Sequence, residues 1–89
     1  MNIEIKKFGN LLISRPAGKE AFLAALAYTF PDTENPQDIV IDFAGVNVLA
    51  PSWADEFLTP LRSRYPKANF RTVNTENPSV AATLKILNL

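Results

Sequence analysis

The 89-residue sequence predicts a mixed α/β sandwich, one sheet with helices packed against it, in the order β-β-α-β-α-β-α. Three observations point there. Ile39-Val40-Ile41-Asp42-Phe43 is an almost unbroken apolar run rich in β-branched residues, the mark of a central strand. Two longer segments, one after Ser14 and one after Ser52, repeat apolar residues at helical spacing. In Ser14-Arg15-Pro16 and Asn77-Pro78, a capping residue comes just before a proline, as at helix starts.

Ile3 and Ile5 alternate with Glu4 and Lys6, the period of a strand with one wet face. Gly9-Asn10, between Phe8 and Leu11-Leu12-Ile13, has the composition of a type II′ turn, so the expected opening is an antiparallel hairpin. The helix after Ser14 gathers Phe22, Leu26, Thr29 and Phe30 on one side and Glu20, Ala24 and Ala27 on the other. Pro31 to Pro36 is a loop rich in chain breakers. The strand at Ile39–Phe43 is expected to be covered on both faces. After a connection from Ala44 to Pro51, Ser52 is expected to start the second helix, with Asp55 completing an S-x-x-D pattern like a capping box. That helix carries Ala54, Phe57, Leu58, Leu61 and Tyr65 in one arc and is expected to kink at Pro60. Phe70 and Val73 mark a short strand, and Asn77 caps the last helix. A hairpin followed by two βα units makes one domain, residues 1–89, with a mixed sheet.

Composition removes many chemistries. Nine basic and nine acidic residues cancel, which predicts no attraction to nucleic acid or to an anionic membrane surface. With no Cys and no His, the described chemistry lacks disulfides, thiolate nucleophiles, imidazole bases and imidazole-bound zinc. No cofactor, metal or catalytic residue is expected. Three glycines and no glycine-rich phosphate loop make a nucleotide-binding module the weakest reading. Asp42 stands at a strand end without a second carboxylate at motif spacing, so it is expected to bond nearby backbone amides rather than catalyse. The opening Met1-Asn2-Ile3-Glu4 is unlike a secretion signal, and the expected location is the cytoplasm.

Ile41-Asp42-Phe43-Ala44-Gly45-Val46 followed by Leu49-Ala50-Pro51-Ser52-Trp53-Ala54-Asp55-Glu56 resembles the central motif of STAS domains, the anti-sigma-factor antagonist and sulfate-transporter modules. Val73-Asn74 and Asn77-Pro78-Ser79-Val80 are similar to the strand and helix that follow in that family. The Ser-x-Ala-Asp-Glu form resembles most the short bacterial STAS-like proteins of unknown function. The resemblance implies that Ser52 occupies the phosphoacceptor position of the anti-sigma antagonists. Ala50 and Pro51 stand where that family has Asp and a first Ser, and Trp53 stands where it has Gly. Longer members add a further strand and helix beyond the last helix seen here.

The function expected is therefore a non-enzymatic regulatory module that binds protein. By the same resemblance, the partner is a serine-kinase or anti-sigma-like ATPase that docks around Ser52, Trp53, Asp55 and Glu56, and phosphorylation of Ser52 releases it. Trp53 lies beside the apolar arc, either packing at the rim of the core or standing partly exposed as an anchor. The alternative is a constitutive interaction or oligomerisation domain in which Ser52 is only a helix cap. There the last helix carries the interface, with Val80, Leu84 and Leu87 on one face and Ala82, Ile86 and Leu89 on the other. The occupant of that second face would be a copy of the chain, a partner, or a terminal element from another chain.

Overall fold

The computed structural model describes residues 1–30 and 36–89, so most of the expected loop, Pro31–Asn35, lies outside the described residues. The elements run β1 (Asn2–Glu4), a 3-10 turn (Ile5–Phe8), β2 (Leu11–Leu12), α1 (Arg15–Tyr28) and β3 (Asp38–Asp42). They continue with β4 (Val48–Leu49), α2 (Pro51–Arg64), β5 (Asn69–Val73) and α3 (Pro78–Ile86). The α/β class and the order of strands and helices are those the sequence predicts, with β4 added inside the Ala44–Pro51 connection.

The strand pairing differs from the expected hairpin. Gly9, at φ 126° and ψ 172°, closes the 3-10 turn, which carries the chain forward instead of reversing it. β1 and β2 therefore do not pair with each other. β1 pairs parallel with β3, and β2 parallel with β4. β3 also pairs parallel with β5, so in place of the one mixed sheet expected there are two parallel sheets, β1-β3-β5 and a separate pair, β2-β4. This arrangement lets Ile3 and Ile5 share one buried face with Ile39, Ile41 and Phe43. On the opposite face Asp38 is exposed and Val40 and Asp42 are half-buried. The central strand is therefore fully buried on one face and only partly covered on the other, not covered on both as expected.

Helix starts follow the caps. Ser14 Oγ accepts from the Ala17 amide at 3.2 Å, and Asn77 Oδ1 accepts from the Ser79 and Val80 amides at 2.8 and 3.2 Å. Each bond satisfies donors that the first helical turn leaves without a partner. β4 has α3 on its far side: the Leu49 amide donates to Ser79 Oγ at 3.0 Å, and the Thr83 hydroxyl donates to the Leu49 carbonyl. Side-chain hydroxyls there stand in for a neighbouring strand.

α1 and α2 pack against each other over an aromatic cluster. Trp53 stacks on Phe57 with ring centroids 5.1 Å apart and planes 11° from parallel, while Phe8 and Phe22 meet Phe57 at 5.0 and 6.1 Å. Gly18 lets α1 approach: a Cβ there would lie 2.5 Å from the Trp53 carbonyl oxygen. α2 runs unbroken through Pro60 as far as Arg64.

Candidate functional site

The chain around Ser52 is built where β2 leads into α1 and β4 leads into α2. α2 begins two residues earlier than expected: Ala50 is the N-cap, with no side-chain cap bond, and Pro51 opens the first turn. Proline suits that place because its missing N–H is one of the orphan donors. Ser52 is thus no cap, and Asp55 completes no capping box. The Ser52 hydroxyl instead donates to the Ile13 carbonyl at 2.9 Å, tying the first turn of α2 to the end of β2.

Arg15, at the first turn of α1, holds the two acidic residues of this segment. Its Nη1 donates to Asp55 Oδ2 at 2.9 Å and to Glu56 Oε1 at 2.8 Å. Thr59 Oγ1 donates to the other Asp55 oxygen at 2.8 Å. The Arg15 bond, then the Thr59 bond, hold the Asp55 carboxyl below its ordinary range, and Glu56 and Asp55 together raise the Arg15 guanidinium. The three side chains are partly open to water, where such pairs add little to stability. What the arrangement fixes is the relative position of two helix N-termini. Sequence reasoning missed Arg15. Its signal was available: a cation in a first helical turn opposes the helix dipole and calls for a local reason.

Trp53 lies inward. It is 2 % exposed, with its ring against Phe57 and Phe8, so it is neither at the rim nor a free anchor. The apolar surface beside Ser52 comes from β2 and β4 instead. Leu11 and Ile13 are each 58 % exposed, and Val48, the register partner of Leu11, is 38 % exposed.

The last helix divides as its two stripes predict, except at its end. Val80 and Leu84 are buried and Ile86 is 64 % exposed. Asn88 then takes φ 59°, and the Leu89 amide donates back to the Leu84 carbonyl at 2.9 Å. This is the closure in which a left-handed residue ends a helix and the next one folds over it. Leu89 therefore packs against the core rather than joining Ile86.

Asp42 bonds as expected, accepting from the Ala44 amide at 2.9 Å and from Asn74 Nδ2 at 2.7 Å. The Asn74 bond, then the Ala44 bond, lower its pKa. Both Asp42 and Asp55 have folded pKa values below the unfolded one, so their contributions are present above the ordinary carboxylate range and fade as pH falls through the lowered values. The melting temperature is expected to hold from pH 7 to about pH 4 and to fall below it. In the Asp42→Asn, Asp55→Asn double variant that acid slope should flatten; an unchanged slope, followed by calorimetry, would reject these two groups as its source.

Among the described residues, no helix is long and apolar enough to cross a membrane, and no three Asp or Glu residues converge as a metal site. No curated protein and no solved structure matches the chain. A family described as STAS-like domain of unknown function (DUF4325) matches residues 20–80, which include β3, β4, all of α2 and β5. Arg15 and β2 lie before the matched stretch. With well over half its length matched, and with the parallel strands and helix order set out above, the chain belongs to the family of STAS-like domains of unknown function.

Proposed function

We propose that this protein is a non-enzymatic regulatory module that docks a partner on the surface formed by Leu11, Ile13 and Val48 beside Ser52, Asp55 and Glu56. The observation that carries this reading is the Ser52 hydroxyl, which makes an exposed hydrogen bond of 2.9 Å to the carbonyl of Ile13, itself part of that apolar surface. The partner is a serine-kinase or anti-sigma-like ATPase of the cytoplasm. It transfers the γ-phosphoryl group of ATP to Ser52 Oγ; the hydroxyl proton leaves and ADP departs. The phosphorylated oxygen no longer donates to Ile13. Its added charge, close to −2 at neutral pH, repels Asp55 and Glu56 and competes with them for Arg15. Loss of the hydroxyl bond and of the Arg15 clamp together changes the docking surface and releases the partner.

Co-precipitation from the source cytosol with wild type and Ser52→Asp tests the switch. The expected result is an ATPase retained by wild type and lost with Ser52→Asp, and a gain of one phosphoryl group in intact mass after incubation with that ATPase and ATP. Identical partners for both forms, or an unchanged mass, would overturn it. The exposed Ile86 favours the second reading, a constitutive interaction domain using α3. That reading expects Ser52→Asp to change nothing and Ile86→Glu to lower the sedimentation coefficient.

A further inference from the structure

On the side of the sheet away from β1 and β2, β5 is an edge strand. Its register with β3 fixes which groups are free. The Asn69 amide donates to the Gln37 carbonyl at 2.7 Å and the Val73 carbonyl accepts from the Phe43 amide at 3.1 Å. Alternate residues of a strand turn their backbone groups to opposite edges, so the amides and carbonyls of Phe70 and Thr72 point outward. Next to them lies a cleft of about 500 Å³ lined by Thr59, Arg62, Ser63, Pro66, Ala68 and Phe70. A row of open donors and acceptors with a cleft alongside is the geometry that accepts an added strand.

The charge around that edge selects its occupant. From Phe57 to Thr75 the sequence carries Arg62, Arg64, Lys67 and Arg71 and no acidic residue; a carboxylate does line a pocket with Arg71, that of Asp38 on the paired strand. The ion pairs of the described residues involve Lys7 and Arg15, and none of these four cations. Arg62 lines the cleft, where its guanidinium also reaches the Leu87 carbonyl at 3.4 Å. Arg71 alternates with Phe70 and Thr72, so it stands on the other face of the same strand. A second copy of the chain would bring these cations together edge to edge, which like-charge repulsion opposes. We infer that the outer edge of β5 binds an extended acidic segment of a partner protein, which adds as a fourth strand with a carboxylate toward Arg62 on one face and toward Arg71 on the other.

The site lies further along α2 than the Ser52 surface, with Thr59 between the two, and its test reads different residues, Phe70 and Thr72. The test uses ¹⁵N-labelled full chain and two short blocked peptides, one alternating Glu and Val, the other alternating Lys and Val. With the Glu peptide, the Phe70 and Thr72 amide signals should shift and gain protection from exchange, while Asn69, already bonded to Gln37, changes little. Raising salt from 0.05 to 0.5 M should weaken binding, since exposed charges are screened. The Arg62→Glu, Arg71→Glu double variant should bind the Glu peptide about tenfold more weakly and prefer the Lys peptide. Equal binding of the two peptides by wild type, shifts confined to Leu11 and Ile13, or no change at Phe70 and Thr72 would overturn the inference.

Discussion

Trp53→Ala is expected to cost roughly 3–5 kcal/mol, the range for truncating a large buried aromatic. A domain of this size is usually held by only about 5–10 kcal/mol, so the variant sits near its unfolding transition. The loss has two sources. The indole is 2 % exposed, and it stacks on Phe57 one helical turn further along α2. Removing it also takes a packing partner from Phe8, whose ring centroid lies 6.4 Å away. Urea denaturation followed by circular dichroism measures the effect; the intrinsic fluorescence of the chain's single Trp disappears with the mutation. A loss under about 1 kcal/mol would mean that the indole lies at the surface. Reduced partner binding by this variant would report unfolding, so surface changes such as Leu11→Glu are the proper probes of docking.

The second large effect is expected at Gly18→Ala. In a helix this exchange ordinarily gains up to about 1 kcal/mol, because alanine has less backbone freedom to lose. Here the added methyl would lie 2.5 Å from the Trp53 carbonyl oxygen and 3.0 Å from its Cα. Both atoms are backbone, held inside α2, and cannot swing aside as a long side chain does. α1 must therefore move away from α2, loosening the packing of Trp53 and Phe22. Overpacking costs of this kind run about 1–3 kcal/mol or more, which outweighs the propensity gain. The expected net loss is about 2 kcal/mol, read from the urea midpoint at constant slope. A stabilised variant would show that the two helices stand further apart than described.

Local signals carried much of the fold. Ser14 and Asn77 announced their helices because a cap acts within one turn of itself. The apolar run at Ile39–Phe43 announced the central strand, and Asp42 could be read as a backbone-bonded side chain from its place at that strand's end. Strand partners were not legible, because nothing near Ile3 says that it will lie beside Ile41. Gly9-Asn10 satisfied the composition of a hairpin turn, but glycine serves any positive φ, and here it ends a 3-10 turn.

The site was half legible. Ser52, Asp55 and Glu56 do come together at the start of α2, yet S-x-x-D suggested a cap that Pro51 had already displaced by two residues. The wheel placed Trp53 at the edge of an apolar arc, and only the neighbouring helix, brought close by Gly18, decided that the edge is inside. Arg15 reaches across 40 positions to Asp55, a distance over which spacing carries no information.

The parallel pairing also governs how the chain can fold as it is made. Asn2 pairs with Val40, Leu11 with Val48 and Asp38 with Asn69, so partners are 31 to 38 positions apart in every strand pair. Among the described residues no strand pair is joined by a tight reversal from which a sheet could grow by zipping, and each pairing must first close a long loop. Folding should be slow for such a short chain, nearer to seconds than to microseconds. During synthesis, Ile3, Ile5 and Leu12 leave the ribosome well before Ile41 and Leu49 arrive to cover them. Until β3 and β4 have emerged, the first strands have nothing to join.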